Sequence, residues 1–274
     1  MWFARNILHR RIQRILRSRG DLAPPYDEKF FAWVSFTARR SAQALLPVVI
    51  DLAKPSSVLD VGCGHGAWLA VWSELGTDDV FGLDGAYVDQ RSLEIPHDLF
   101  RTIDLTKPWS ADRSFDLVQS LEVAEHLPAK AGPTFISCLC AHSDVILFSA
   151  AQPGQGGEYH INERDASYWA ELFSQHGYAA YDCIRPRIAR QRSIDPWYRF
   201  NTVLYANAAG AQRLDPQALA SLVATPSALA NHGDISWRIR KFILRFLPEA
   251  AVTNLSRLRY WVALALFRTG SNSQ

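Results

Sequence analysis

Cysteine is scarce, with Cys63, Cys138, Cys140 and Cys183 the only four in 274 residues. They have neither metal-finger spacing nor the density of a disulfide scaffold, so neither device is expected to stabilise the fold. Cys138 and Cys140 lie two apart in an apolar stretch and are expected to be plain buried thiols. Long apolar runs are also missing: nothing approaches the roughly 20 residues that cross a bilayer. The longest candidate, Tyr260 to Phe267, is far too short. The N-terminus lacks the apolar core and small-residue cleavage site of a secretory signal, so a reducing, cytoplasmic setting is expected.

Acid is missing from the two ends. Residues 1–19 hold six arginines and no carboxylate, and residues 235–268 hold seven basic residues against Glu249 alone. The ends therefore carry +12, which leaves −10 for the remainder of a chain whose net charge is +2. A nucleic-acid binder should wear its basic face on the fold itself, so nucleic acid is not the expected partner. Basic ends on an acidic globule suit an enzyme touching an anionic surface, such as the inner face of a membrane. The alternative is that these ends pack on the domain or on a second subunit; the oligomeric state is not legible.

What is present is a core. With 48% hydrophobic and 20% charged residues, the chain fits one large α/β domain with appendages. Leu8, Ile12, Ile15 and Leu16 recur at helical spacing among the arginines, giving a basic amphipathic helix. Residues 28–53 read as a long helix interrupted near Pro47. Short apolar runs then alternate with helical segments, the rhythm of a parallel α/β sheet. Strands are expected at Val58–Val61, Val80–Asp84, Leu99–Ile103, Phe115–Ser120 and Val145–Ala150, with two more near Ala180–Ile184 and Phe200–Asn207. Helices are expected over Ala67–Leu75, from about Ala166 to His176, and over Trp237–Leu247 and Asn254–Phe267. The expected fold is a Rossmann-like three-layer sandwich around a seven-stranded, mostly parallel sheet. It divides into a basic segment 1–26, a core domain 27–207 and a helical extension 208–274.

The strongest motif is Val58-Leu59-Asp60-Val61-Gly62-Cys63-Gly64-His65-Gly66, a buried strand running into a glycine turn that opens a helix. Glycine lets a ligand lie against the main chain there. Gly62, Gly64 and Ala67 satisfy a dinucleotide fingerprint. Asp60, Gly62, Gly64 and Gly66 satisfy D-x-G-x-G-x-G. Asp60 decides between them: a carboxylate would repel phosphates, whereas it favours a cation. Asp84 then ends the second strand, where it can accept both ribose hydroxyls, and Asp104 follows the third, within reach of an adenine amine. The chain resembles the class I S-adenosylmethionine-dependent methyltransferases over roughly residues 40–207. That resemblance implies S-adenosylmethionine as cofactor, with Asp60, Gly62, Cys63, Gly64, Gly66, Asp84, Asp104 and Leu121 around it.

Glu122, Glu125 and His126 follow the fourth strand at i, i+3, i+4, which places all three on one face of a helical turn. They could bind a divalent ion (Mg, Mn, Fe or Zn), or His126 could act as a general base oriented by a carboxylate. Downstream, the Gly154–Gly157 stretch suggests a mobile loop that brings His160 across the cleft. This E-x-x-E-H turn with its later histidine is similar to two metal-dependent O-methyltransferase groups, those of ubiquinone synthesis and the small-RNA 2′-O-methyltransferases. The likeness implies Glu122, Glu125, His126 and His160 as metal ligands, with His126, His160 and Glu122 catalytic. His9, His65, His97, His142, His176 and His232 are expected to be structural or solvent-facing.

The segments HINERDASYWAELFSQHGY and DPWYRFN resemble bacterial methyltransferases of polysaccharide and glycoconjugate synthesis. Arg185, Arg187, Arg190 and Arg192 are candidate phosphate contacts on a lipid-linked or nucleotide-linked sugar, or else a solvated loop. Trp197 and Tyr198 belong either to that acceptor side or to the core. The expectation is an O-methyltransferase acting on a sugar hydroxyl. The alternatives are an RNA ribose 2′-O-methyltransferase or a membrane-associated scaffold that keeps the fold without catalysis.

Overall fold

The computed structural model describes residues 28–157 and 159–247, with side chains from residue 35 onward. The basic segment 1–26 and the helix expected over Asn254–Phe267 lie outside the described residues.

The order of elements begins with helix α1 (Glu28–Ala53), β1 (Ser57–Val61), α2 (Ala67–Glu74), β2 (Asp79–Asp84), β3 (Phe100–Thr102) and β4 (Leu117–Leu121). It continues through α3 (Gly132–Cys140), β5 (Val145–Ser149), α4 (Ala166–Ser174), β6 (Ala179–Tyr181), α5 (Arg185–Ile188), α6 (Pro196–Asn201) and β7 (Val203–Ala206). Short helices α7 (Ala208–Ala211) and α8 (Pro216–Leu219) lead to α9 (Ile235–Leu244). The seven strands form one sheet in the order β3-β2-β1-β4-β5-β7-β6. All pairings are parallel except those of β7, which runs antiparallel to both β5 and β6.

Parallel strands covered on both faces read as unbroken apolar runs. In β5, Val145 and Leu147 face one core layer, while Ile146 and Phe148 face the other. The first layer packs under α1 and α2 through Leu45, Leu46, Leu69 and Trp72. The second packs under α3 and α4 through Phe135, Ile136, Trp169 and Phe173. Burying such side chains from both faces contributes roughly 1.5–3 kcal/mol each, which fixes the three-layer arrangement.

The differences from expectation have local causes. Helix α1 runs straight through Pro47: with Leu45, Leu46, Val49 and Leu52 all buried on its inner side, packing outweighs the lost amide. The sixth strand stops at Tyr181 because Ile184 and Arg185 open α5. The seventh begins at Val203 rather than Phe200, since Pro196, at the first turn of α6, starts a helix through Asn201. Gly177, at φ +79, follows α4 as the left-handed exit residue. Among the described residues beyond 207, Val223 donates to the Ala180 carbonyl, Ser221 accepts from the Asp182 amide, and Asp215 donates to Leu52. Among the described residues, no helix is long and apolar enough to cross a membrane.

Candidate active site

A cleft of about 250 Å³ opens at the carboxyl ends of β1, β2 and β4, the edge where open α/β sheets bind ligands. Its floor is the glycine turn. Gly62, Gly64 and Gly66 have φ of +84, +56 and +85, values that other residues adopt only at a cost. A Cβ on Gly62 would lie 2.3 Å from the Val123 side chain, whereas one on Gly64 would meet nothing within 4 Å. Gly62 thus joins the glycine turn to the turn after β4, and Gly64 leaves open space for a ligand. Cys63 and Leu121 are buried in the cleft wall.

Two carboxylates meet at this turn. Asp60 is buried, and burial pushes its carboxyl up to about 8; the Gln119 side chain opposes this and the Asp84 charge adds to it. Asp84 accepts from the Gly64 and Gly85 amides, both at 2.6 Å, and from the Tyr87 hydroxyl. Asp104 does not join them: its carboxylate accepts from the Thr106 amide at 3.0 Å and pairs with Lys107 at 2.7 Å. This tight turn of its own engages the Asp104 carboxylate, which is not among the side chains that line the cleft. His65 is in that wall, not merely structural or solvent-facing. Tyr198, expected on the acceptor side or in the core, lines the cleft, as do Ser35, Ala38 and Tyr87, which carry no motif that could have announced them.

The turn after β4 departs from the expected helix. Glu122 is left-handed at φ +57, and only Ala124–His126 form a 3₁₀ turn. The i, i+3, i+4 face requires α-helical backbone throughout, so Glu122 does not share a helical face with Glu125 and His126, although its carboxyl stays close enough to that of Glu125 to act on it. The two Glu122 oxygens accept from Gln155 Nε2 at 2.6 Å and Asn201 Nδ2 at 3.0 Å. Burial pushes the Glu122 carboxyl up, and those hydrogen bonds oppose it. The group that closes instead is Glu125, His126 and His160, whose ligand atoms all lie within 4.8 Å of one another. Glu125 is fully buried, and neither of its oxygens has a hydrogen-bond partner. Burial, and the Glu122 charge after it, hold its carboxyl far above the usual range. An unpartnered buried carboxylate facing two imidazoles is costly unless a cation or proton joins it, so these residues fit a divalent ion. His126 is drawn down to about 4 by desolvation and by His160 beside it.

The segment that carries His160 is hydrogen-bonded to the turn after β4. Ile161 and Asn162 both donate to the Glu125 carbonyl, at 2.9 and 3.0 Å. Its Nδ1 lies 3.0 Å from Glu163 Oε1, and Glu163 also accepts from the amides of Gly154 and Gly156 at 2.8 Å. Burial alone would raise the Glu163 carboxyl, but His160 and the two amides hold it below its ordinary value. With Nδ1 committed to Glu163, Nε2 is the nitrogen left for a ligand or a proton. The carboxylate-oriented histidine is therefore His160; His126 instead has its Nδ1 3.3 Å from the Tyr159 carbonyl. Glu163 was missed in the sequence because a lone acid three residues after a histidine is an ordinary spacing.

The arginine cluster does not gather at the cleft. Arg185 is buried and forks onto Asp182 while donating to the Ala230 carbonyl at 2.8 Å. Arg187 donates to Cys183 and Gln217. Tyr198 is on the cleft side, edge-on to Trp68 with ring centroids 4.9 Å apart. His142 is structural, accepting from the Ala111 amide at 2.8 Å. Cys138 is buried and Cys140 half-buried, and both are free thiols.

Residues 33–153 match the family model described as a methyltransferase domain. No curated protein matches the chain. Among solved structures, the complex of DhpI with SAH shares 19% identity over 56% of this chain and 77% of that one, at a TM-score of 0.40. An O-methyltransferase family protein from Burkholderia thailandensis shares 16% over 63% of this chain at 0.45, and the chain spans 58% of its length. The methyltransferase domain of bacterial CtHen1 shares 16% over 61% of this chain and 96% of its own, at 0.44. The matched stretch carries the glycine turn at the tip of β1 and strands β1 to β5 of the seven-stranded sheet, so that part of the chain matches a methyltransferase domain.

Proposed function

We propose that the enzyme methylates a hydroxyl oxygen, with a divalent ion held by Glu125, His126 and His160, and that the acceptor is a sugar of a glycoconjugate. The observation that carries this reading is the buried Glu125 carboxylate, unpartnered and facing both histidines. S-adenosylmethionine supplies the methyl group, and the ion would lower the pKa of the acceptor hydroxyl.

The chain's own residues supply position and electrostatics. Asp84 places a carboxylate beside the glycine turn that would receive a cationic donor, and Asp60 can ionise there when the donor is seated. Val123, packed on Gly62, fixes the distance between the glycine turn and the Glu125 group. Glu163 occupies Nδ1 of the His160 ring and so leaves Nε2 for the ion or a proton. A sugar is favoured over RNA because the −10 balance between the basic ends repels a polyanion.

The Glu163–His160 pair supports a second reading, in which His160 Nε2 takes the hydroxyl proton with no metal. The discriminating experiment is methyl transfer to nucleotide-linked and lipid-linked sugars, with and without chelator, in wild type and Glu125→Ala. Loss of transfer on chelation and in Glu125→Ala supports the metal reading. Chelator-resistant transfer that disappears in His160→Ala supports the base reading.

A further inference from the structure

Helix α9 has two faces with different destinations. Trp237 is buried against the domain, and its ring lies 6.0 Å from that of Phe200. The same inner side is bolted to the loop before His160. Arg240 donates to the Gln155 carbonyl at 2.6 Å, Lys241 donates to the Gln152 side chain, and Gly154 approaches the Lys241 carbonyl so closely that a Cβ would be 2.6 Å away. Gln155 in turn donates to Glu122.

The outer side is apolar and, among the described residues, uncovered. Ile235, Ile239, Phe242, Ile243 and Phe246 fall at i, i+4, i+7, i+8 and i+11, a single stripe at helical spacing. Ile235, Phe242 and Phe246 are 78%, 65% and 71% exposed, unusual for side chains of that size grouped together. Exposed Arg238 and Arg245 flank the stripe. From Ile235 to Leu247 there are four basic residues and no acid.

We propose that this face of α9 docks on an anionic lipid bilayer, with the stripe in the acyl–headgroup boundary and the arginines on lipid phosphates. An apolar stripe with Arg238 and Arg245 beside it, and with Asp234 confined to the helix N-cap, is the chemistry of an interfacial helix. A protein partner would require acid complementary to Arg238 and Arg245, whereas an anionic leaflet supplies negative charge along the whole helix. The bolts to Gln152, Gly154 and Gln155 would then seat the active-site loop directly above the membrane. The inference does not rest on the acceptor or the metal proposed above.

The test is co-sedimentation of the full chain with vesicles of phosphatidylglycerol and phosphatidylcholine, against phosphatidylcholine alone. Affinity for the anionic vesicles is expected to be at least tenfold higher and to fall with added salt. Combining Phe242→Glu with Phe246→Glu should weaken anionic binding at least tenfold while leaving the calorimetric affinity for S-adenosylmethionine unchanged. Three results would overturn the proposal: wild type that ignores lipid charge, a double variant that binds as well as wild type, or a wild-type dimer that the double variant turns into a monomer. The last would place a second copy of the chain on this face.

Discussion

Glu163 holds His160: its Oε1 lies 3.0 Å from the imidazole Nδ1 while its two oxygens also accept the amides of Gly156 and Gly154. One carboxylate therefore sets both the ring's orientation and the shape of the loop that carries it. Glu163→Gln should lower methyl transfer about 10–100-fold, the usual effect of losing a carboxylate behind a ligand histidine. Divalent-ion affinity, followed by calorimetry, should drop in parallel, while affinity for S-adenosylmethionine should stay within about twofold. Unchanged ion affinity would remove Glu163 from the positioning role.

Gly157 faces the other nitrogen of the same ring. A Cβ there would lie 2.2 Å from His160 Nε2, and the backbone at Gly157 is not left-handed. Gly157→Ala should therefore fold normally yet push the imidazole aside. Activity should fall as far as in His160→Ala, with thermal stability altered by less than about 1 kcal/mol. An active Gly157→Ala enzyme would show that His160 Nε2 has no part in the reaction.

Asp60 predicts how cofactor affinity depends on pH. Burial raises its carboxyl to about 8 in the ligand-free protein, so it carries a proton at pH 7. A cation seated beside it favours the ionised form, so binding should release that proton. Affinity for S-adenosylmethionine should rise with pH, by up to about tenfold per unit below 8, and level off above. Calorimetry in buffers of different ionisation enthalpy measures the released proton, and Asp60→Asn should abolish the release. Proton uptake on binding would contradict the assignment.

Arg185 separates a structural arginine from a substrate contact. It is 1% exposed and forks onto Asp182. Truncation should leave Asp182 without its partner and cost about 3–5 kcal/mol. Urea denaturation of Arg185→Ala measures that loss. The KM for the acceptor, measured on the folded fraction, should be unchanged; a raised KM with normal stability would restore the acceptor role.

Much of the fold was legible because period and burial coincide. Val58–Val61 and Val145–Ser149 are apolar on both sides, as only a strand covered on two faces needs to be. Element ends were less legible. The proline of α1 did not break its helix, and the proline of α6 started one where a strand was expected. For α1 the deciding term was the surface available for burial, which one-dimensional spacing does not contain, and for α6 it was the preference of proline for a first helical turn. The site divides the same way: the glycine turn is contiguous and announces itself, whereas Glu163, Asn201 and Tyr198 come from separate elements.

By itself the sequence determined the alternating strands and helices, the glycine turn with Asp60 and Asp84, and the presence of Glu125, His126 and His160. These follow from local pattern, since turn conformations and strand burial are set by residues within a few positions of one another. Only the tertiary structure decided that Glu122 turns to Asn201 and Gln155, and that Arg185 is buried with its guanidinium on the Ala230 carbonyl. Those outcomes depend on which distant groups compete for the same charge, and chain folding alone brings such groups within hydrogen-bonding reach.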